Sequence, residues 1–110
     1  MDTWPEDDRL SVLRSDETCY IYLTGDVDAY RVERLPQPEA LTAHGDVDRV
    51  SLDLTDVQHI DSSGLRWVLR IHRFARARGR MMSVTVRNGS LTHRTIQLIG
   101  AGSVFEVEVI

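Results

Sequence analysis

One stretch of this chain reads as a strand that hands over to a helix across four small or acidic residues. Val50-Ser51-Leu52-Asp53-Leu54-Thr55-Asp56-Val57 is an apolar, strand-like run. Leu65, Val68, Leu69, His72 and Ala75 recur at intervals of three and four, the inner face of a helix over Leu65 to Arg78. Between them stand Asp61-Ser62-Ser63-Gly64. A strand passing this directly into a helix fits a sheet with helices packed on it. It also places two hydroxyls at a helix start, where unpaired backbone N–H groups and a partial positive charge collect. A phosphate there finds donors already waiting, so the motif suggests a serine that carries a phosphoryl group.

The rest of the chain supports an α/β arrangement. Arg9–Leu13 reads as a short first strand, Ser15–Thr18 as a polar turn, and Cys19–Leu23 as a strand rich in β-formers. Gly25-Asp26-Val27-Asp28 ends that strand. Residues 29–43 are a helical candidate anchored by Leu35 and Leu41 and interrupted by Pro36 and Pro38; Gly45-Asp46 closes it. The run from 49 to 54 is the central strand, with an exit loop reaching Ile60. Gly79 stops the helix, Met82–Val86 is a strand, and Asn88-Gly89-Ser90 is a turn from which Ser90 caps a further helix, Leu91 to Ile99. Leu91, Thr95, Leu98 and Ile99 are expected to face inward there. Val104–Val109 alternates as a last strand. The expectation is a single domain over residues 9–110, with a mixed sheet of four to five strands and helices packed on it, preceded by a flexible acidic N-terminus at 1–8.

Composition excludes several classes. At 110 residues the chain fits one domain with a modest core. No apolar run approaches the roughly 18 residues of a membrane span, and the acidic start lacks the pattern of a signal peptide, so a cytoplasmic location without membrane association is expected. Net charge is −4, divided unevenly: residues 1–61 carry 15 acidic residues and 5 Arg, and residues 62–110 carry 8 Arg and 2 Glu. The reversal falls at Asp61–Ser62. Arg66, Arg70, Arg73 and Arg76 recur along the central helix as a solvated face or a basic contact surface. With a negative overall charge and no aromatic residues interleaved among them, nucleic acid is not the expected partner. Cys19 is single and reads as a small buried hydrophobe. His44, His59, His72 and His93 have no metal-ligand spacing, so neither a metal nor another cofactor is expected. Ser62 is in no Gly-x-Ser-x-Gly elbow, and without any Lys there is no phosphate-binding loop of the Gly-rich, Lys-bearing kind. No catalytic residues are assigned and no enzyme is expected.

The motifs, taken in order, resemble those of the STAS family, and within it the small single-domain anti-sigma factor antagonists of bacteria. Gly25-Asp26-Val27-Asp28 resembles the family's Gly-acidic-apolar-Asp element after the second strand. Val50-Ser51-Leu52-Asp53-Leu54 resembles its Asp-bearing third strand, and Ile60-Asp61-Ser62-Ser63-Gly64-Leu65 its Asp-Ser-Ser/Thr-Gly-Leu signature. The likeness extends over roughly residues 9–109. The chain departs from the family in ending just after its last strand, where a further helix often follows, and in carrying two prolines in its first helical segment.

The resemblance implies a phosphorylation site at Ser62, the serine directly after the signature Asp. On residue type alone Ser62 is a helix N-cap, and the two roles are compatible. Asp26, Asp28, Asp61, Ser63, Gly64 and Arg66 are the implied partner-binding residues, with Gly64 required by packing or turn geometry. Trp67 is either core or contact. The implied function is an anti-sigma factor antagonist that binds an ATP-using anti-sigma factor serine kinase, is switched off by serine phosphorylation, and is reset by a protein phosphatase. The alternative is a non-phosphorylated STAS scaffold or binding module in a larger signalling or lipid-transport assembly. A small-ligand or nucleotide-binding domain has no pocket signature behind it.

Overall fold

The computed structural model describes residues 2–4, 7–42 and 47–110. Strands β1 (Asp2–Trp4), β2 (Asp7–Ser15) and β3 (Thr18–Val27) pair antiparallel, and β4 (Arg49–Ile60), β5 (Met81–Val86) and β6 (Glu106–Val109) continue the sheet in parallel. The strand order is the chain order. Each parallel neighbour requires a crossover. These are supplied by α1 (Ala29–Val32) with α2 (Pro38–Thr42), by α3 (Ser62–Ala77), and by α4 (Leu91–Leu98) with a 3₁₀ turn at Ala101–Ser103.

The α/β class and the mixed sheet agree with the sequence reading, and among the described residues the strands number six. The added one is β1, from within the acidic N-terminus, and β2 begins at Asp7, ahead of Arg9. Of that N-terminal segment Met1, Pro5 and Glu6 lie outside the described residues, as do the Gly45-Asp46 turn and position 43 of the helical candidate. Pro36 and Pro38 divide that candidate into two short helices, with Pro38 opening the second, where its missing N–H costs nothing.

One face of the sheet is buried. Leu10, Cys19, Ile21, Leu23, Val50, Leu52, Leu54, Val84 and Val86 are almost wholly enclosed beneath the helices. Their cross-strand partners are also buried, Leu10 opposite Leu23 and Ile21 opposite Leu52, so the register keeps the apolar set on one side. The residues between them, among them Tyr20, Ser51 and Thr85, line the accessible opposite face. Cys19 is buried as expected, and burial raises its thiol pKa. In α3, Leu65, Val68 and Ala75 face inward, joined by Trp67 and Ile71, both fully enclosed. Trp67 is thus core, and its indole N–H donates to the Pro36 carbonyl at 3.1 Å.

The inward face assigned to α4 requires correction. Leu91, Leu98 and Ile99 are exposed, Leu98 at 86%, whereas Thr92, His93 and Ile96 are buried. The cause lies in β4. Its pairing with β5 ends at Asp53–Thr85, yet the strand continues to Ile60 beside β3 alone, so the expected exit loop is itself strand. A carbonyl on the vacated side needs a donor. The buried Thr92 hydroxyl supplies one to Val57 at 2.9 Å. That bond holds α4 with Thr92, His93 and Ile96 toward the sheet.

Beneath the end of β3 lies a buried ion pair. Arg31 and Asp7 have side-chain exposures of 5% and 7% and meet at 2.7 Å. The same guanidinium donates to the carbonyls of Thr24, Asp26 and Arg9. Gly25, between the first two, has a φ of 79°, and the β3–β4 register shifts there. Arg31 thereby holds a kink that only glycine accommodates readily.

Arg31→Ala strands the Asp7 carboxylate and several carbonyls, so it should cost about 3–5 kcal/mol in urea denaturation. A second expectation concerns pH. The His72 and Phe105 rings meet tilted at 58° with centroids 5.6 Å apart, and the buried His72 Nδ1 has no hydrogen-bond partner among the described residues. Burial first, then the charges of Arg76 and Arg73, lowers its pKa. The unfolded chain therefore binds this proton more readily than the fold. The stability is fully present above the unfolded-state value of about 6.5 and is lost as pH falls from there through the lower folded-state pKa. Denaturation midpoints across that window should show a shallower pH slope in His72→Leu than in the wild type; an unchanged slope would exclude His72 as a source.

Candidate functional site

Because β3 and β4 are parallel, their following loops leave the sheet at the same end. Asp26 stands opposite His59, and Val27 opposite Ile60. The two loops are then laced together. The Asp61 N–H donates to the Val27 carbonyl at 3.3 Å. One Asp61 carboxylate oxygen accepts the Gly64 N–H at 2.9 Å and caps α3; the other accepts the Ala29 N–H at 3.2 Å, from the first residue of α1. Asp28 caps α1 in its turn, accepting the Arg31 N–H at 3.0 Å.

Asp61 therefore takes the capping role that residue type alone gave Ser62. A carboxylate caps as well as a hydroxyl and here reaches donors in both loops. Ser62 becomes the first residue of α3. It is exposed, and its hydroxyl makes no hydrogen bond among the described residues. Ser63 is half-buried and helps line an open groove of about 270 Å³ between α1 and α3, with Val32, Glu33, Arg66, Trp67 and Arg70.

Gly64 is where the two loops come closest. A Cβ there would meet the Val27 carbonyl oxygen, and it would lie 2.7 Å from Ile60 Cγ1. Backbone on one side and core on the other leave no room for a methyl group, which supplies the packing reason anticipated for this glycine. Asp26 pairs with His59 at 3.0 Å on the exposed rim. Arg66 is exposed one helical turn beyond Ser62, on the same side of the helix.

The fold thus gathers Asp26, Asp28, Asp61, Ser62, Ser63, Gly64 and Arg66 at one end of the sheet. Acidic groups lie on the β3 side and arginines along α3. Arg31, Ala29 and His59 also shape the site and were not singled out by sequence. Arg31 follows Asp28 by three residues, but nothing in that spacing separates a buried arginine from a surface one. Among the described residues no three His, Cys, Asp or Glu side chains converge to hold a metal ion. Gly64→Ala should cost about 1–3 kcal/mol, the range for forcing atoms into a filled site, and a denaturation midpoint equal to wild type would refute the close approach.

Comparison with known proteins places this geometry in a family. A family model described as Mlab, STAS domain, matches residues 10–106, which include both loops and all of α3. No curated protein matches the sequence significantly. Among solved structures, an anti-sigma factor antagonist from Mycobacterium paratuberculosis has a TM-score of 0.75 at 21% identity, covering 96% of this chain and 89% of that one. The anti-sigma factor antagonist SpoIIAA in its unphosphorylated form has a TM-score of 0.62 at 22% identity, covering 92% and 86%. Such identities establish a shared fold. With most of its length matched by the family model, the chain belongs to the STAS-domain family.

Proposed function

We propose that this protein is an anti-sigma factor antagonist whose binding to an anti-sigma factor kinase is switched off by phosphorylation of Ser62. The observation that carries the reading is the state of Ser62: an exposed, unengaged hydroxyl on the first turn of a helix whose start is fixed by other groups. A kinase can reach it without opening the fold. Its similarity in fold to two proteins described as anti-sigma factor antagonists supports the same role.

In this reading the unphosphorylated face, formed by Asp26, Asp28, Asp61, Ser63, Gly64 and Arg66, docks on the anti-sigma factor and frees the sigma factor. The kinase brings ATP and Mg²⁺. The Ser62 oxygen forms a bond to the γ-phosphorus as the bond to ADP breaks, and the hydroxyl proton leaves. The phosphate adds a charge of about −1.5 to −2 at neutral pH. First-turn N–H groups and Arg66 stabilise it within the domain. Beside three aspartates, it makes the face strongly negative and repels an acidic or phosphate-bearing partner surface. A phosphatase resets the switch, and the domain itself catalyses nothing. The setting is the cytoplasm; among the described residues no helix is long and apolar enough to cross a membrane.

A second reading, suggested by the Mlab description of the family, is a STAS scaffold in a larger assembly without phosphate turnover. Affinity for the cognate anti-sigma factor separates the two. The switch predicts that Ser62→Ala binds like wild type and Ser62→Asp at least about tenfold more weakly, a difference of ~1.4 kcal/mol. Equal affinities for all three proteins would reject it and favour the scaffold.

A further inference from the structure

The last strand is uncovered in two directions. Among the described residues β6 pairs with β5 alone and ends the sheet. Ile110, which continues it, directs both backbone groups at the neighbouring strand: its N–H donates to the Val86 carbonyl at 3.0 Å, and its carbonyl accepts the Asn88 N–H at 2.9 Å. In a parallel strand such residues alternate with residues whose N–H and C=O point the other way. Val107 and Val109 therefore present theirs at the free edge. Their side chains, with Ile96 and Gly100, line an open groove of about 470 Å³ on the helix side. Glu106 and Glu108 project from the opposite face. They are the only acidic residues after Asp61, and among the described residues neither forms an ion pair.

Exposed apolar side chains also concentrate here. Leu91, Leu98, Ile99, Val104, Val109 and Ile110 are all exposed large hydrophobics, drawn from the last 20 residues of the chain. Of these, Val109 lines the groove itself.

We propose that the β6 edge receives an extended segment of a partner protein in which apolar residues alternate with Arg or Lys. Strand addition satisfies the outward N–H and C=O groups of Val107 and Val109. Alternation then sends the segment's apolar side chains into the groove and its cations toward Glu106 and Glu108. The charges also select against a second copy of this chain. Two β6 edges paired antiparallel would bring their glutamates face to face, and like charges across strands destabilise the pairing. This surface owes nothing to the state of Ser62.

The test is an NMR titration of the full chain with a short peptide alternating Val and Arg, beside a control alternating Val and Glu. The Val–Arg peptide should shift the Val107 and Val109 amides and bind roughly tenfold more tightly than the control. Val109→Pro removes an N–H that faces the free edge and none that faces β5, a placement proline tolerates; it should weaken binding about tenfold with the fold intact. The double variant Glu106→Lys, Glu108→Lys should reverse the preference between peptides. Absence of shifts at β6, equal affinity for the two peptides, indifference to the glutamate reversal, or self-association through β6 would each overturn the proposal.

Discussion

The buried Arg31–Asp7 pair is the interaction on which the site depends. A guanidinium this enclosed is stable only if its donors are matched, and here they are, by a carboxylate and three carbonyls. Two of those carbonyls flank Gly25, so the cation gathers the end of β3 around itself and fixes where Asp26, Val27 and Asp28 emerge. Asp61 then has a constant target in the Val27 carbonyl and the Ala29 N–H. The order of dependence runs from a buried charge, through a kinked strand end, to a carboxylate joining two loops, and finally to the serine on the helix that carboxylate caps.

That order has a consequence for signalling. Among the described residues the Ser62 hydroxyl makes no hydrogen bond, so a phosphate added to it would remove none of the bonds that hold the junction together. The change falls on the charge of a surface whose shape is already set. Three aspartates lie to one side and Arg66 to the other, so in the proposed switch a phosphate on Ser62 would act on a partner electrostatically and locally. A switch built this way alters affinity without the cost of reordering a segment.

Much of this was legible in the sequence. The strand–helix handover at residues 50–78, the paired Asp-bearing loops and the crowded glycine are all local patterns, and local patterns survive folding. Trp67 remained open between core and contact because aromatic character suits either. Periodicity misassigns the α4 face for a different reason. Leu91, Thr95, Leu98 and Ile99 have helical spacing, but so do Thr92 and Ile96, and apolarity favoured the wrong set. What decided was a carbonyl on the unpaired flank of β4 that needed the Thr92 hydroxyl, a non-local requirement no periodicity carries. Arg31 carries no local signal either, since its role depends on a carboxylate 24 residues earlier in the chain.

The central claim is that phosphate on Ser62 rewrites a docking surface and leaves the domain unchanged. The most direct measurement is to incubate the protein with its cognate anti-sigma factor kinase and MgATP, map the modification by mass spectrometry, and compare amide NMR spectra before and after. The account predicts one phosphate on Ser62, with shifts confined to residues 26–31 and the first two turns of α3. Phosphate on another residue, or shifts spread through β2 and β5, would contradict it.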